Sequence, residues 1–189
     1  MPISNYYRLI AVVAFLGVLF AIFEATGLRQ HFSLGFLRGQ IEANLVAGLL
    51  VFVLLYCLGN LIQIPGWIFL AAAVLTLGKL WGGIATYLAA ITSCMATYFI
   101  VGFIGGDALR QLDNKVAQRI FSQVDQRPVT SVFLLRMIFQ TVPVMNYALA
   151  LSAIRFRDYA IGTLLGLPIP VVVYCLGFDF LERYVFKLK

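Results

Sequence analysis

The chain has 189 residues, of which 62% are hydrophobic and 12% charged, about half the charged share of a soluble domain. That balance excludes an ordinary soluble domain and points to one compact integral membrane domain, since each crossing helix uses about 20 apolar residues to traverse about 30 Å of hydrocarbon. The net charge of +6 gathers at the edges of the apolar runs, which suits anionic lipid headgroups as partners and not nucleic acid.

Residues 1–44 read as an N-terminal unit. Tyr6 to Leu28 is apolar for long enough to span, with Arg8 at its entry and Glu24 near its end. No A-x-A-like site follows, so it is taken as a transmembrane helix and not as a cleaved signal. Arg29 to Asn44 mixes charges with Phe32, Leu34, Phe36, Leu37 and Ile41, the composition of a segment lying at the interface.

Residues 45–189 read as the main membrane domain, with a first half over 45–106. From Ala43 to Gly106 the only charge is Lys79. Leu45 to Ile62 predicts one span and Gly83 to Ile104 another. Between them, Ile64-Pro65-Gly66 opens a short apolar run that closes at Gly78. A helix of about 12 residues rises only about 18 Å, so it dips in and returns, with Asn60, Pro65 and Gly66 as its hinge. Lys79 is either a counterpart to the second dip's cation or a side chain snorkelling to the interface beside Trp81.

The connector, 107–128, is amphipathic: Leu109, Leu112, Val116, Ile120 and Val124 recur at helical spacing while Arg110, Asp113, Lys115 and Arg119 take other faces. Asp107 is placed to cap it and Pro128 follows it. In the second half, 129–189, Ser131 to Ile154 carries a single charge, Arg136. Two arms of about ten residues meet near Pro143, neither able to cross. Tyr159 to Tyr184 holds the last span, interrupted at Gly166, Pro168 and Pro170. Two dips flanked by spans in mirrored order predict an all-α membrane protein built as an inverted repeat of two re-entrant hairpins with about four spanning helices.

Arg136 is the candidate site. A guanidinium in hydrocarbon costs about 3 kcal/mol on the gentler insertion scales, and an anionic ligand would offset that. Its planar fork matches phosphate oxygens. Pro143 suits the first turn of a helix whose amides at Val144, Met145 and Asn146 would then be free to face an anion, and Gln140, Thr141 and Asn146 add neutral hydrogen bonds. The alternative is internal pairing with Glu24, Asp158 or Asp179.

Cys57, Cys94 and Cys175 lie in apolar runs without metal or disulfide spacing, and His31 is the sole histidine. No metal and no cofactor is expected. Intramembrane hydrolases need Ser with His or Lys, or two facing Asp. Neither arrangement is visible, so no enzyme is expected. A structural or partner-binding role stays open, with Gly48, Gly102, Gly162 and Gly166 serving close helix contacts. A homo-oligomer stays open as well.

The run "SVFLLRMIFQTVPVMNYALALSAIRFRDYAIGTLLGLPIPVVVYCLG", with Arg136, Pro143, Asn146 and Gly166 to Pro168, resembles the VTT-domain branch of the DedA superfamily, also called the SNARE-associated Golgi protein family. "IQIPGWIFLAAAVLTLGKLWGG" is similar to that family's proline-glycine entry to its first hairpin. The resemblance implies two opposed re-entrant hairpins. It also implies a role in moving anionic lipid between leaflets, as phospholipid scrambling or polyprenyl-phosphate recycling, in the bacterial inner (plasma) membrane. Departures are Phe139 where a proline is usual, Ala150 near a usual glycine, and the lack of a second hairpin arginine. The first hairpin also lacks the acidic residues of proton-coupled members.

Overall fold

The computed structural model describes residues 4–26, 44–106, 122, 124–139 and 142–181. The interfacial segment expected before Asn44, most of the amphipathic connector, Gln140, Thr141 and the chain end from Glu182 lie outside the described residues. The described secondary structure is helical: α1 (Ser4–Ala25), α2 (Leu45–Leu61), α3 (Gly66–Gly105), α4 (Pro128–Phe139), α5 (Pro143–Ala150), α6 (Phe156–Gly166) and α7 (Pro168–Leu181).

Helix α2 starts where the Asn44 side chain accepts the Ala47 amide at 3.1 Å, filling one orphan donor of the first turn. It ends in a Schellman turn: Ile64 N–H reaches the Gly59 carbonyl at 2.7 Å and Gln63 N–H the Asn60 carbonyl at 3.4 Å. The residue turning the chain, Gln63, has φ 69°, a left-handed conformation that costs a non-glycine about 1–2 kcal/mol. Pro65 then restarts the chain as α3. Tyr56 and Phe69 come within 4.8 Å between ring centroids and Phe52 and Phe69 within 6.4 Å. The start of α3 therefore folds back along α2.

Helix α3 is two pieces. Gly78 has φ 77° and ψ 168°, a region in practice open only to glycine. A Cβ on Gly82 would stand 2.5 Å from the Ala73 carbonyl oxygen. Nine residues of straight helix would put those positions about 13 Å apart, so the chain reverses at Gly78. The arm 66–77 rises about 18 Å and cannot cross a bilayer. The arm 79–105 is long enough.

In the second half, too, glycines let helices lie close together. A Cβ on Gly162 would meet Val132 and the Val129 carbonyl, and one on Gly166 would meet Cβ of Arg136 and the Phe133 carbonyl, all under 3 Å. The numbers rise together on both helices, so α4 and α6 run in the same direction at backbone-to-backbone distance. Between them α5 carries the chain back. With 12 and 8 residues, α4 and α5 rise about 18 and 12 Å.

Among the described residues, two helices are long and apolar enough to cross a membrane, Gly66–Gly105 and Phe156–Phe178, where about four were expected for the chain. The second runs through α6 and α7 because Leu167 stays helical, at φ −76° and ψ −30°. The first keeps enough length after its break. Helix α2, with 17 residues, ends with Asn60 beside Ser93 and Thr97, midway along the arm it accompanies. The core gathers Phe52, Tyr56, Phe69, Cys94, Val132 and Tyr159 between the halves. A second cluster joins Val12 of α1 to Val101, Tyr147 and Leu151.

Candidate functional site

Among the described residues the largest fully buried side chain is a cation, Arg136, with no exposed surface. It lies in the last turn of α4, and Gly166 brings α6 against its Cβ. Helix α6 supplies two of its partners from one face, four residues apart. Nε of Arg136 donates to the Thr163 hydroxyl at 3.3 Å and Nη2 to the Tyr159 hydroxyl at 2.8 Å. The guanidinium also stands 5.3 Å from the Tyr159 ring centroid, a cation–π distance. Nη1 donates to Oδ1 of Asn146 on α5 at 2.5 Å.

From Asn146 the network passes into the first half. Its Nδ2 donates to Oδ1 of Asn60 at 3.0 Å, and Nδ2 of Asn60 donates to Ser93 at 2.8 Å and Thr97 at 3.3 Å. Cys94 donates its thiol to Oδ1 of Asn146 at 3.5 Å, and the Tyr159 hydroxyl donates to the Cys94 carbonyl at 3.0 Å. Asn60, Ser93, Thr97, Asn146 and Thr163 are all buried. Each half thus plants one polar residue near the end of its first arm, Asn60 or Arg136. Each then meets it with an i, i+4 pair on the span that follows, Ser93 and Thr97 or Tyr159 and Thr163.

Tyr147 adds a fastening between the halves. Its hydroxyl lies 2.5 Å from the Leu61 carbonyl and 3.2 Å from that of Asn60. Those acceptors belong to the last turn of α2, where carbonyls lack the ordinary i+4 helical donor; that of Asn60 is shared with the Gln63 amide.

Of the residues singled out from sequence, Arg136, Asn146 and Asn60 are hydrogen-bonded into one network, and Gly166 presses on Arg136. Pro143 opens α5 and is buried. The amides expected to be free behind it are largely used: Met145 and Asn146 both donate to the Val142 carbonyl, at 3.0 and 3.3 Å, because Val142 caps α5 and its carbonyl accepts the first bonds of the helix. Pro65 and Gly66 line a cleft of about 160 Å³ with Phe139, Val142 and Tyr174, where the two hairpin tips face each other. Gly78 marks the exit of the first hairpin, away from the network, and Pro168 the bend of the last helix. Gln140 and Thr141 lie outside the described residues. Of the acidic residues weighed as partners, Glu24 is exposed and Asp158 partly buried in the first turn of α6. The side chain of Asp179 is outside the described set.

Sequence reasoning missed the parts played by Tyr159, Thr163, Ser93, Thr97 and Tyr147, and treated Cys94 only as a residue of an apolar run. The available signal was the i, i+4 recurrence of hydroxyls on otherwise apolar spans, which puts both on one helix face. Among the described residues no group of three His, Cys, Asp or Glu side chains is close enough to hold a metal ion.

A family model described as the VTT domain matches residues 64–180, a stretch that contains Arg136, Asn146 and every span partner named above. No curated protein and no solved structure matches the chain.

Proposed function

Because the chain belongs to the VTT-domain family of DedA-type membrane proteins, we propose that it moves an anionic lipid, a phospholipid or a polyprenyl phosphate, between the leaflets of a bacterial plasma membrane. In this reading α1, the arm 79–105 and α6 with α7 cross the bilayer. The α2 hairpin and the α4–α5 hairpin enter from opposite faces, and their tips meet near the midplane. This is the inverted-repeat arrangement in which transporters keep a central site.

The observation that carries the reading is Arg136, completely buried yet held by the neutral side chains of Asn146, Tyr159 and Thr163. These partners fix the orientation of the guanidinium, and intramembrane charge marks substrate paths by default. A phosphate headgroup arriving through the cleft between the tips would exchange with Asn146 at Nη1. Bidentate geometry would favour it over a neutral headgroup.

Lipid exchange between leaflets of liposomes containing the purified protein tests this, using a labelled phospholipid and a labelled polyprenyl phosphate. Wild type is expected to accelerate at least one of them. Arg136→Ala should lose the acceleration, and Arg136→Lys, which keeps the charge but not the fork, should lose most of it. A folded Arg136→Ala protein that exchanges lipid like wild type overturns the proposal. The complete burial of Arg136 favours a second reading, in which the network only clamps the two halves of a structural or partner-binding protein. Wild type would then move neither lipid, and Arg136→Lys would retain the thermal stability of the folded protein.

A further inference from the structure

The side chains that join the two halves differ in the hydrogen bonds they allow. Arg136 carries only donors, Asn60 and Asn146 each carry one oxygen and one amide nitrogen, and a hydroxyl donates or accepts by turning about a single bond. The direction of the bonds from Arg136 to Ser93 and Thr97 is therefore set at one end. Because Nη1 of Arg136 donates to Asn146, the Asn146 oxygen faces the guanidinium and its Nδ2 is left to donate to Oδ1 of Asn60. Asn60 must then aim its own Nδ2 at Ser93 and Thr97, which accept.

The same side chains also satisfy one another in the opposite direction. With both amides turned over, Asn60 donates to the Asn146 oxygen, and the Ser93 and Thr97 hydroxyls rotate to donate to the Asn60 oxygen. The Cys94 thiol, which donates to the Asn146 oxygen at 3.5 Å, accepts from its amide instead. The one conflict is at Nη1, where donor would meet donor. The rest of the guanidinium keeps its hold. The Tyr159 hydroxyl spends its hydrogen on the Cys94 carbonyl and so stays an acceptor for Nη2, while Thr163 accepts from Nε. An acceptor atom entering between Nη1 and Asn146 removes the conflict without moving Arg136.

We propose that Asn146 and Asn60 form an amide relay that reverses when a phosphate oxygen of the lipid headgroup takes the place of Asn146 at Nη1. The inference rests on the lipid-transport reading of Arg136. It adds a second donor to the headgroup, Nδ2 of Asn146, and a positioning residue, Asn60, that acts through Asn146. Towards Arg136 alone Asn146 presents its oxygen, and towards phosphate it presents its amide. Asn60 stays bonded to Asn146 in both directions, so the headgroup is accepted without parting the two hairpins. Occupancy beside α4 is passed to Ser93 and Thr97 on the arm 79–105, with no buried amide left unpaired, a loss that would weaken binding.

The test is proton–nitrogen NMR of the full chain in neutral maltoside micelles, with isotope label in the asparagine side chains alone. Asn5, Asn44, Asn60, Asn114 and Asn146 supply the signals, and replacing each by aspartate in turn assigns them. The probes are dihexanoyl phosphatidylglycerol, dihexanoylglycerol and inorganic phosphate. Phosphatidylglycerol is expected to shift the Asn146 and Asn60 signals together along one saturation curve, and dihexanoylglycerol to shift neither. Asn146→Asp, whose carboxylate only accepts, should hold Asn60 turned over. Its signal is then displaced in the direction seen for phosphate-loaded wild type before any probe is added, and no probe moves it further. A shift of Asn146 alone, no shift of either signal, or an Asn60 signal in Asn146→Asp that matches unloaded wild type would each overturn the relay. Leaflet exchange measured on the same protein separates the two readings. Exchange with Asn60 unmoved removes the relay alone, and concerted shifts without exchange remove the transport function alone. Concerted shifts with inorganic phosphate and not with phosphatidylglycerol keep the relay and make a free anion its ligand.

Discussion

Replacing Asn146 by alanine cuts the network at the point where its halves join. Oδ1 of Asn146 accepts from Arg136 and Cys94, while Nδ2 donates to Asn60. Losing a hydrogen bond to a charged donor costs about 1.5–3 kcal/mol, and leaving the buried Asn60 carbonyl without a partner costs about 1–3 kcal/mol. Since both groups are enclosed by protein, we expect a loss of about 3–5 kcal/mol in total. Asn146→Asp should cost clearly less. It keeps an acceptor on Arg136, and the Asn60 amide can turn over to donate to the new carboxylate while accepting from the Ser93 and Thr97 hydroxyls. The measurement is reversible unfolding of the purified protein in mixed micelles, for both variants and for the Asn60→Ala, Asn146→Ala double mutant. A coupling of about 1 kcal/mol or more is expected between the two positions. An alanine variant within about 0.5 kcal/mol of wild type, or an aspartate as damaging as alanine, would refute the reasoning.

Two more substitutions probe how the helices approach. Gly82→Ala should destabilise by about 2 kcal/mol or more, because its Cβ would stand 2.5 Å from backbone that cannot give way. Gly177→Ala has nothing within 4 Å and should be neutral or stabilise by up to about 1 kcal/mol from helix propensity; the same unfolding titration ranks the pair. Tyr147→Phe removes the donor that covers the last carbonyls of α2 and should cost about 1–3 kcal/mol. Amide hydrogen exchange should rise first around residues 59–64, and equal protection there in both proteins would refute the fastening role.

The two halves build comparable contacts from different residues. Asn60 and Arg136 occupy matching places near the ends of the first arms, each answered by hydroxyls at i, i+4 on a parallel span. The exits differ too: Gly78 turns the first hairpin out at φ 77°, while Ala153 has φ 55° after the second. The second half carries the charge and the shorter arms. A shorter hairpin offers less apolar surface to bury, and the second half makes up for it by the close approach of α4 and α6 at Gly162 and Gly166.

Composition and local spacing determined a good deal of this protein. The bilayer dictates a 62% apolar chain and the helices of its described residues, because no other open structure satisfies its backbone in lipid. Pro65, Gly78 and Pro143 announce chain reversals through their own covalent geometry, and Arg136 draws attention because charge in an apolar run has to be answered by something. What only the tertiary structure decided is the answer. An apolar run such as Leu45 to Leu61 reads alike whether it crosses the membrane or stops beside Ser93, since its side chains face apolar surroundings in both cases. The bond between Asn146 and Asn60 joins residues 86 apart. No local periodicity encodes it, because it exists only once Gly162 and Gly166 have let α6 lie against α4 and α5 has been brought back onto the first half.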